Sequence, residues 1–299
     1  MLLIFCVTII FAQAFGGSQH HGVNVFVSYN YPEFNIGDRT NGEVYIASGK
    51  LHQFAVVPAL NGREGAFSLQ SVERPEHYLR HRNFLVHLDA SDESELFKND
   101  ASFYMRANKY FSGYTSLESC NFPGHFLRHQ NYRMKLHKED NSQLFKMDAS
   151  FLASSVSWFA KLDSKNFPGF YWGVTGINAR ITKDHQISVQ LLMPGLTGQE
   201  GTISFHVPSA GGKSKYLRHR NYLFRAEGDT NGAELFRKDS TYHVRMDKWF
   251  PGYLSFESVN FPNYFIRHQN YLLRISKFDN TELFKNDASF EMKMLGPGQ

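Results

Sequence analysis

This chain of 299 residues holds two cysteines, Cys6 and Cys120. Cys6 lies in an apolar leader, so the remainder carries one thiol and cannot close an internal disulfide. Small extracellular domains often lean on such cross-links, and here the core must hold the fold alone. A free Cys usually packs as a small hydrophobe; Cys120 is therefore expected to be buried rather than to act as a dimerising thiol. Long hydrophobic runs are scarce as well. Residues 1–14, MLLIFCVTIIFAQA, fall short of the roughly 20 apolar residues that a bilayer span requires, and no later stretch does better. The run ends in Ala12-Gln13-Ala14, a small-residue cleavage pattern, so it reads as a secretory signal peptide and the protein as secreted and extracellular, with no membrane span.

Charge of one sign is not concentrated anywhere. Lys and Arg number 32 against 28 Asp and Glu, for a net charge of +4, and the two signs interleave along the chain. A nucleic-acid partner normally announces itself by a basic stripe, so none is expected. The chain has no Asn-X-Ser/Thr sequon, which excludes N-glycosylation as a predicted modification. Nor does any stretch carry a helical period with caps.

What the chain does have is repetition. Arg-His, followed one residue on by Asn-aromatic, occurs at Arg80-His81, Arg128-His129, Arg218-His219 and Arg267-His268, and an Asp trails each copy at Asp100, Asp148, Asp239 and Asp287. His81 to His129 is 48 residues and His219 to His268 is 49. The second half repeats the first: Tyr114-Thr115-Ser116-Leu117-Glu118-Ser119 matches Tyr253-Leu254-Ser255-Phe256-Glu257-Ser258, and Asn121-Phe122-Pro123 matches Asn260-Phe261-Pro262. A degenerate unit opens each half, as Asn30-Tyr31-Pro32 with Asp38 at the His position and as Asn166-Phe167-Pro168 with Val174 there. Each half thus holds three units of about 46 residues, and a period of that length marks a repeated supersecondary unit.

Short alternating runs such as Tyr132-Arg133-Met134-Lys135-Leu136, split by Gly, Pro, Asn and Asp, read as strands. Several strands per unit predict an all-β closed fold, and three units per half predict two tandem β-trefoil domains, 20–155 and 156–299. Phe97, Phe145, Phe236 and Phe284 precede the motif Asp by three residues, and Phe103, Phe151, Tyr242 and Phe290 follow it by three. Aromatics locked to the repeat in this way are expected in the core, where burial of each contributes roughly 1.5–3 kcal/mol.

The repeated His and Asp are costly to bury without partners. Their residue types leave two readings open: a turn lock, with Asp capping a loop and His or Arg bonding a strand-end carbonyl, or a small polar pocket whose His and Asp bind adjacent hydroxyls of a sugar. A resemblance bears on this. The phrases Ser116-Leu117-Glu118-Ser119-Cys120-Asn121-Phe122-Pro123-Gly124-His125-Phe126-Leu127-Arg128-His129-Gln130-Asn131-Tyr132 and Lys146-Met147-Asp148-Ala149-Ser150-Phe151 resemble the arabinose-binding domain of fungal α-L-arabinofuranosidase B, over residues 20 to 296. That resemblance implies a β-trefoil carbohydrate-binding module whose unit His and Asp hydrogen-bond an arabinofuranose residue. It points to His81 with Asp100, His129 with Asp148, His219 with Asp239 and His268 with Asp287. The third pair departs from the pattern, with Val207-Pro208-Ser209-Ala210-Gly211-Gly212 in place of the Asn-aromatic-Pro turn and one extra residue before Asp239. Arg82 and Arg220 stand where Gln130 and Gln269 stand in the other units, which favours a more acidic ligand there.

Glycoside hydrolysis generally takes two carboxyl groups flanking one bond, and each unit repeats a single Asp. One His and one Asp also fall short of a metal's three or four ligands. The expectation is a non-catalytic, lectin-like protein without metal or cofactor that binds arabinofuranose-type or other glycan side chains multivalently. The alternative is a structural or adhesive matrix protein that uses the same fold as a scaffold. A His beside an Asp would be held in its charged form, so the pocket reading also predicts binding that changes between about pH 5 and 7.

Overall fold

The computed structural model describes residues 22–156, 159–208, 215–228 and 234–295. The expected signal peptide and the Ser209–Gly212 turn lie outside the described residues. The chain divides between Ser155 and Val156 into two compact units, and both are all-β.

Among the described residues each unit is built from twelve strands in three sets of four. In the first unit, the outer strands of each set are Gly22–Ser28 and Phe54–Pro58, Phe67–Ser71 and Phe103–Ala107, and Thr115–Ser119 and Phe151–Val156. Each pairs antiparallel with the next, and the last returns to the first through Phe26↔Ala153, so six strands close on themselves. Closure removes the exposed edges on which strands aggregate. The middle two strands of each set form a hairpin, and the return strands of the three hairpins pair in a cycle: Arg133↔Tyr45, Lys135↔Leu85 and Glu43↔His87. The second unit repeats the plan, with Ala160↔Val189 completing its ring.

Alternation within the strands fills the core. The aromatics tied to the repeat are all buried, Phe97, Phe145, Phe236 and Phe284 together with Phe103, Phe151, Tyr242 and Phe290, as their spacing predicts. In the second unit Trp172 replaces Ile36 of the first and meets Phe205, Phe224, Phe256 and Phe290 edge-on at 5.1–5.7 Å between ring centroids, a favoured aromatic geometry. Cys120 is free and buried.

The Asn-aromatic step of the repeated phrase is a hairpin turn. Asn83-Phe84, Asn131-Tyr132, Asn221-Tyr222 and Asn270-Tyr271 all have φ between 50° and 64°, the two left-handed residues of a type I′ turn. Asn tolerates that conformation. The bulky aromatic after it does so at a steric cost, and its ring is left 43–47% exposed.

One expectation fails. Four short helices occur among the described residues, Glu95–Asp100, Gln143–Asp148, Glu234–Asp239 and Glu282–Asp287, each ending in the motif Asp. Six residues are too few to display a helical period over the window that such a reading needs. Their caps were nevertheless written in the sequence: Ser94, Ser142 and Thr281 accept the backbone N–H of Phe97, Phe145 and Phe284. Ser142→Ala is expected to lower stability by about 1 kcal/mol in urea unfolding, while Ser142→Asp should hold it near the parent value.

Candidate functional site

The helix and the hairpin of each complete unit bring its His and Asp together. The His sits near the end of the hairpin's outgoing strand, and the Asp ends the helix that follows the return strand. Nε2 of His81, His129, His219 and His268 lies 3.5, 3.4, 3.6 and 3.5 Å from the carboxylate of Asp100, Asp148, Asp239 and Asp287. All four predicted pairs are therefore formed, including the third despite its extra residue.

An asparagine from the neighbouring set of strands bridges each pair. Asn121, Asn30, Asn260 and Asn166 donate Nδ2–H to Asp100, Asp148, Asp239 and Asp287 at 2.8, 2.8, 2.8 and 2.7 Å. A carboxylate only accepts, so the amide is oriented with Oδ1 towards the imidazole. There it receives Nε2–H of His81, His129, His219 and His268 at 2.9, 2.9, 3.0 and 2.7 Å. This fixes each ring as the Nε2–H tautomer. A serine two residues before the Asn (Ser119, Ser28, Ser258 or Ser164) donates to the same Oδ1. The motif Arg completes the cluster: Arg128, Arg218 and Arg267 pair with Asp148, Asp239 and Asp287, at 2.5 and 2.8 Å for the first two, whereas Arg80 stays 4.0 Å from Asp100. Each guanidinium also lies 4.9–5.4 Å over a helix Phe.

Ser-X-Asn-aromatic-Pro is thus the missed half of the site. Its recurrence was visible and served only to align the units. The Asn joins one set of strands to the next, and in both halves the third set reaches back to the first, His129 to Asn30 and His268 to Asn166. The motif His and Asp are buried, 3–5% exposed, while the four Asn are partly exposed. Of the turn-lock reading, two details change: His bonds an amide side chain, and the carboxylates that cap loops are Asp92, Asp140 and Asp279, which accept the N–H of Ser94, Ser142 and Thr281. Arg128 and Arg267 do donate Nε–H to carbonyls near the strand end, those of His129 and His268.

Burial also decides the electrostatics. It pushes His129 down to about 4, with Arg128 adding to the effect, and pushes His81, His219 and His268 below the ordinary imidazole range against the pull of their Asp partners. The expected protonation of these rings between pH 5 and 7 is thereby overturned for His129, because burial and the Arg128 guanidinium both disfavour the charged ring. Asp148 is raised by the same burial, against Asn30 and Arg128.

Over each buried cluster stands an aromatic rim. Phe122, Tyr31, Phe261 and Phe167 meet His81, His129, His219 and His268 edge-on at 5.2–5.5 Å. The half-exposed turn rings of Phe84, Tyr132, Tyr222 and Tyr271 pack beside them at 5.3–5.8 Å. A third ring, Phe34, Tyr264 or Phe170, stacks on the turn ring in three clusters, and His125 takes that place in the first. Beside Tyr132 a cleft of about 300 Å³ is lined by Phe34, Asp38, Arg39, Tyr45 and Asn131. At the degenerate position, Asp38 pairs instead with Arg74, which stands where Phe122 stands in the next set. Among the described residues there is no group of three His, Cys, Asp or Glu that could hold a metal, and no helix is long and apolar enough to cross a membrane.

An amide held rigid at the surface by a buried acid, beside an apolar ring, can receive a ligand that carries both hydroxyls and a C–H face. α-L-Arabinofuranosidase B of Emericella nidulans is 35% identical over 102 residues, covering 32% of this chain and 20% of the relative. The mouse otogelin-like protein is 32% identical over 82 residues, 25% of this chain and 4% of its own. The chain thus spans a fifth or less of these relatives. A solved structure of a GH54 α-L-arabinofuranosidase is similar over 46% of this chain and 32% of its own, at 24% identity and a TM-score of 0.40. The model of the alpha-L-arabinofuranosidase B (ABFB) domain matches residues 47–111, 107–191 and 182–292, most of the chain, and the protein therefore belongs to the ABFB domain family.

Proposed function

We propose that this is a secreted, non-catalytic, lectin-like protein, built as two tandem β-trefoils of three sets each, that binds arabinofuranose-type or related glycan side chains at four sites. The observation that carries the reading is the fourfold recurrence of one arrangement: a buried His–Asp pair, a partly exposed Asn fixed by it, and a half-exposed aromatic at the turn. In each site His81 with Asp100, His129 with Asp148, His219 with Asp239, or His268 with Asp287 forms the floor. The sugar's C–H face lies on the turn ring, and its hydroxyls meet the polar atoms between.

A single exposed sugar site is commonly weak, and a millimolar one contributes only about 4 kcal/mol. Several on one chain raise avidity by roughly 10² to 10⁴ where geometry lets them engage together. In support of a non-catalytic role, each cluster ties one carboxylate to His, Asn and, in three of the four, Arg, whereas hydrolysis generally takes two free carboxyl groups.

The second reading, a structural or adhesive scaffold, is favoured by the burial of the clusters and by their bonds between neighbouring sets. The two readings separate at the rim, which binding needs and folding does not. In calorimetry with arabinan oligosaccharides and a galactofuranoside, the protein is expected to bind. The quadruple variant Phe84→Gly, Tyr132→Gly, Tyr222→Gly and Tyr271→Gly should bind at least about tenfold more weakly, the scale of one lost stacking contact per site. Its stability should stay near the parent's, since glycine relieves the left-handed strain. No binding by the parent protein, or unchanged binding by the variant, removes the proposal and leaves the scaffold.

A further inference from the structure

The hairpin cap of the second unit holds three arginines in equivalent places. Arg180, Arg225 and Arg274 are each the third residue of their return strands, Asn178–Thr182, Leu223–Glu227 and Leu272–Lys277. The strands pair in a closed cycle, Asn178↔Arg225, Leu223↔Arg274 and Leu272↔Arg180. Given ordinary strand rise and cross-strand spacing, this places the three arginine Cα atoms on a triangle about 8 Å on a side. Their chain neighbours Ala179, Ile181, Phe224, Ala226, Leu273 and Ile275 are buried, so alternation turns all three arginines to the opposite, outer face.

The three share a defect. Nε of Arg180, Arg225 and Arg274 is buried and has no hydrogen-bond partner among the described residues. Such a donor is costly to leave unmet, and here it is repeated around one axis. Nε of Arg80 and Arg218 is also unmet, but those guanidinium groups lie over Phe97 and Phe236 and face Asp100 and Asp239. Among the described residues, counter-charge near the triangle is thin. Glu227 is shared at 3.6–3.8 Å by Arg218, Arg220 and Arg225, and Arg274 donates to the neutral Gln269 at 3.0 Å.

The first unit supplies the contrast. At the same places it has Tyr45, His87 and Lys135, with Glu43 and Arg133 between them. Tyr45 donates to Glu43, and Arg133 turns inward to the carbonyls of Val44 and Val86. That cap holds one arginine where the second unit has three, and its guanidinium donates to main-chain carbonyls.

We propose that the arginine triangle of the second unit is an oxyanion site that takes a sulfate or carboxylate group carried by an acidic glycan. Planar guanidinium groups match both oxyanions through paired N–H donors. That the carrier is a glycan rests on the binding reading above; that the group is an oxyanion rests on the triangle alone. The triangle uses none of the His, Asp or Asn side chains of the four clusters, although Glu227 lies between Arg225 and Arg218 of the third, so neutral and acidic groups meet different residues.

The test uses heparin as sulfated probe, polygalacturonate as carboxylated probe, dextran as neutral control and duplex DNA as competing polyanion. At low salt the full chain is expected to bind one or both acidic glycans, with affinity falling at least about tenfold on raising the salt to a Debye length of about 3 Å. The triple variant Arg180→Gln, Arg225→Gln and Arg274→Gln should lose at least about tenfold in that affinity and keep its arabinan binding, while Lys135→Gln in the first unit changes neither. Should the triple variant unfold, single Arg180→Gln, with the smallest set of neighbouring charges, carries the same test with a smaller loss. Absence of binding to both acidic probes, equal binding by the variants, or tighter retention of DNA than of either glycan overturns the proposal. Unchanged arabinan binding by the rim variant, with heparin binding intact, would leave this site standing and remove only the neutral one.

Discussion

Asp148→Ala is expected to lower the unfolding free energy by about 3–5 kcal/mol, the usual cost of removing one partner of a buried ion pair. Its carboxylate accepts from Arg128 at 2.5 Å and from Asn30 at 2.8 Å, and both Asp148 and Arg128 are buried. Alanine strands the guanidinium and frees the Asn that joins the third set of strands to the first. Asp287→Ala should behave alike, since Arg267 and Asn166 hold Asp287 in the same way. Asp100→Ala should cost less, because Arg80 is 4.0 Å from Asp100 and keeps Asp89 at 3.5 Å. Urea unfolding of the three variants checks the ranking; equal losses would mean that the Asn bridge, common to all, outweighs the ion pair.

Acid should unfold the protein well above the range in which carboxylates titrate. Burial holds His129 and His206 at about 4 in the folded chain, against about 6.5 when unfolded. Between those values the unfolded chain takes up protons that the folded chain refuses, so stability is complete above about pH 6.5 and falls as the pH drops towards 4. Each of the two rings accounts for roughly 3 kcal/mol over that window. His81, His219 and His268, shifted in the same direction, add to it. Asp148, raised by burial, opposes the trend only where carboxylates titrate. Thermal melts from pH 7.5 to 4.5 should show a steady fall in Tm, and His206→Gln should flatten part of it. A Tm that is flat down to pH 5 would mean that the imidazoles are solvated.

Much of this was legible because the repeat made it so. A phrase that returns at 48 or 49 residues carries the spacing of strands, turns and core rings with it, and period alone marks Phe145 and Phe151 as buried. The helices were hidden for the opposite reason. Gln143–Asp148 is shorter than two helical turns, and only its Ser142 cap speaks for it. Asn30 was recognised as a repeated landmark, yet nothing local says that it bonds His129, 99 residues away.

The sequence by itself determined the strands and the threefold units, since these follow from local pattern and fixed spacing, while the pairing of each His with its Asp was implied by the family resemblance. Tertiary structure decided the rest. Only closure of the chain brings an asparagine from the next set between the acid and the ring, sinks the imidazoles far enough that desolvation outweighs an adjacent carboxylate, and gathers Arg180, Arg225 and Arg274 about one axis. The reason is physical: burial and long-range contact depend on which distant segments pack together, and residue spacing along one strand cannot express that.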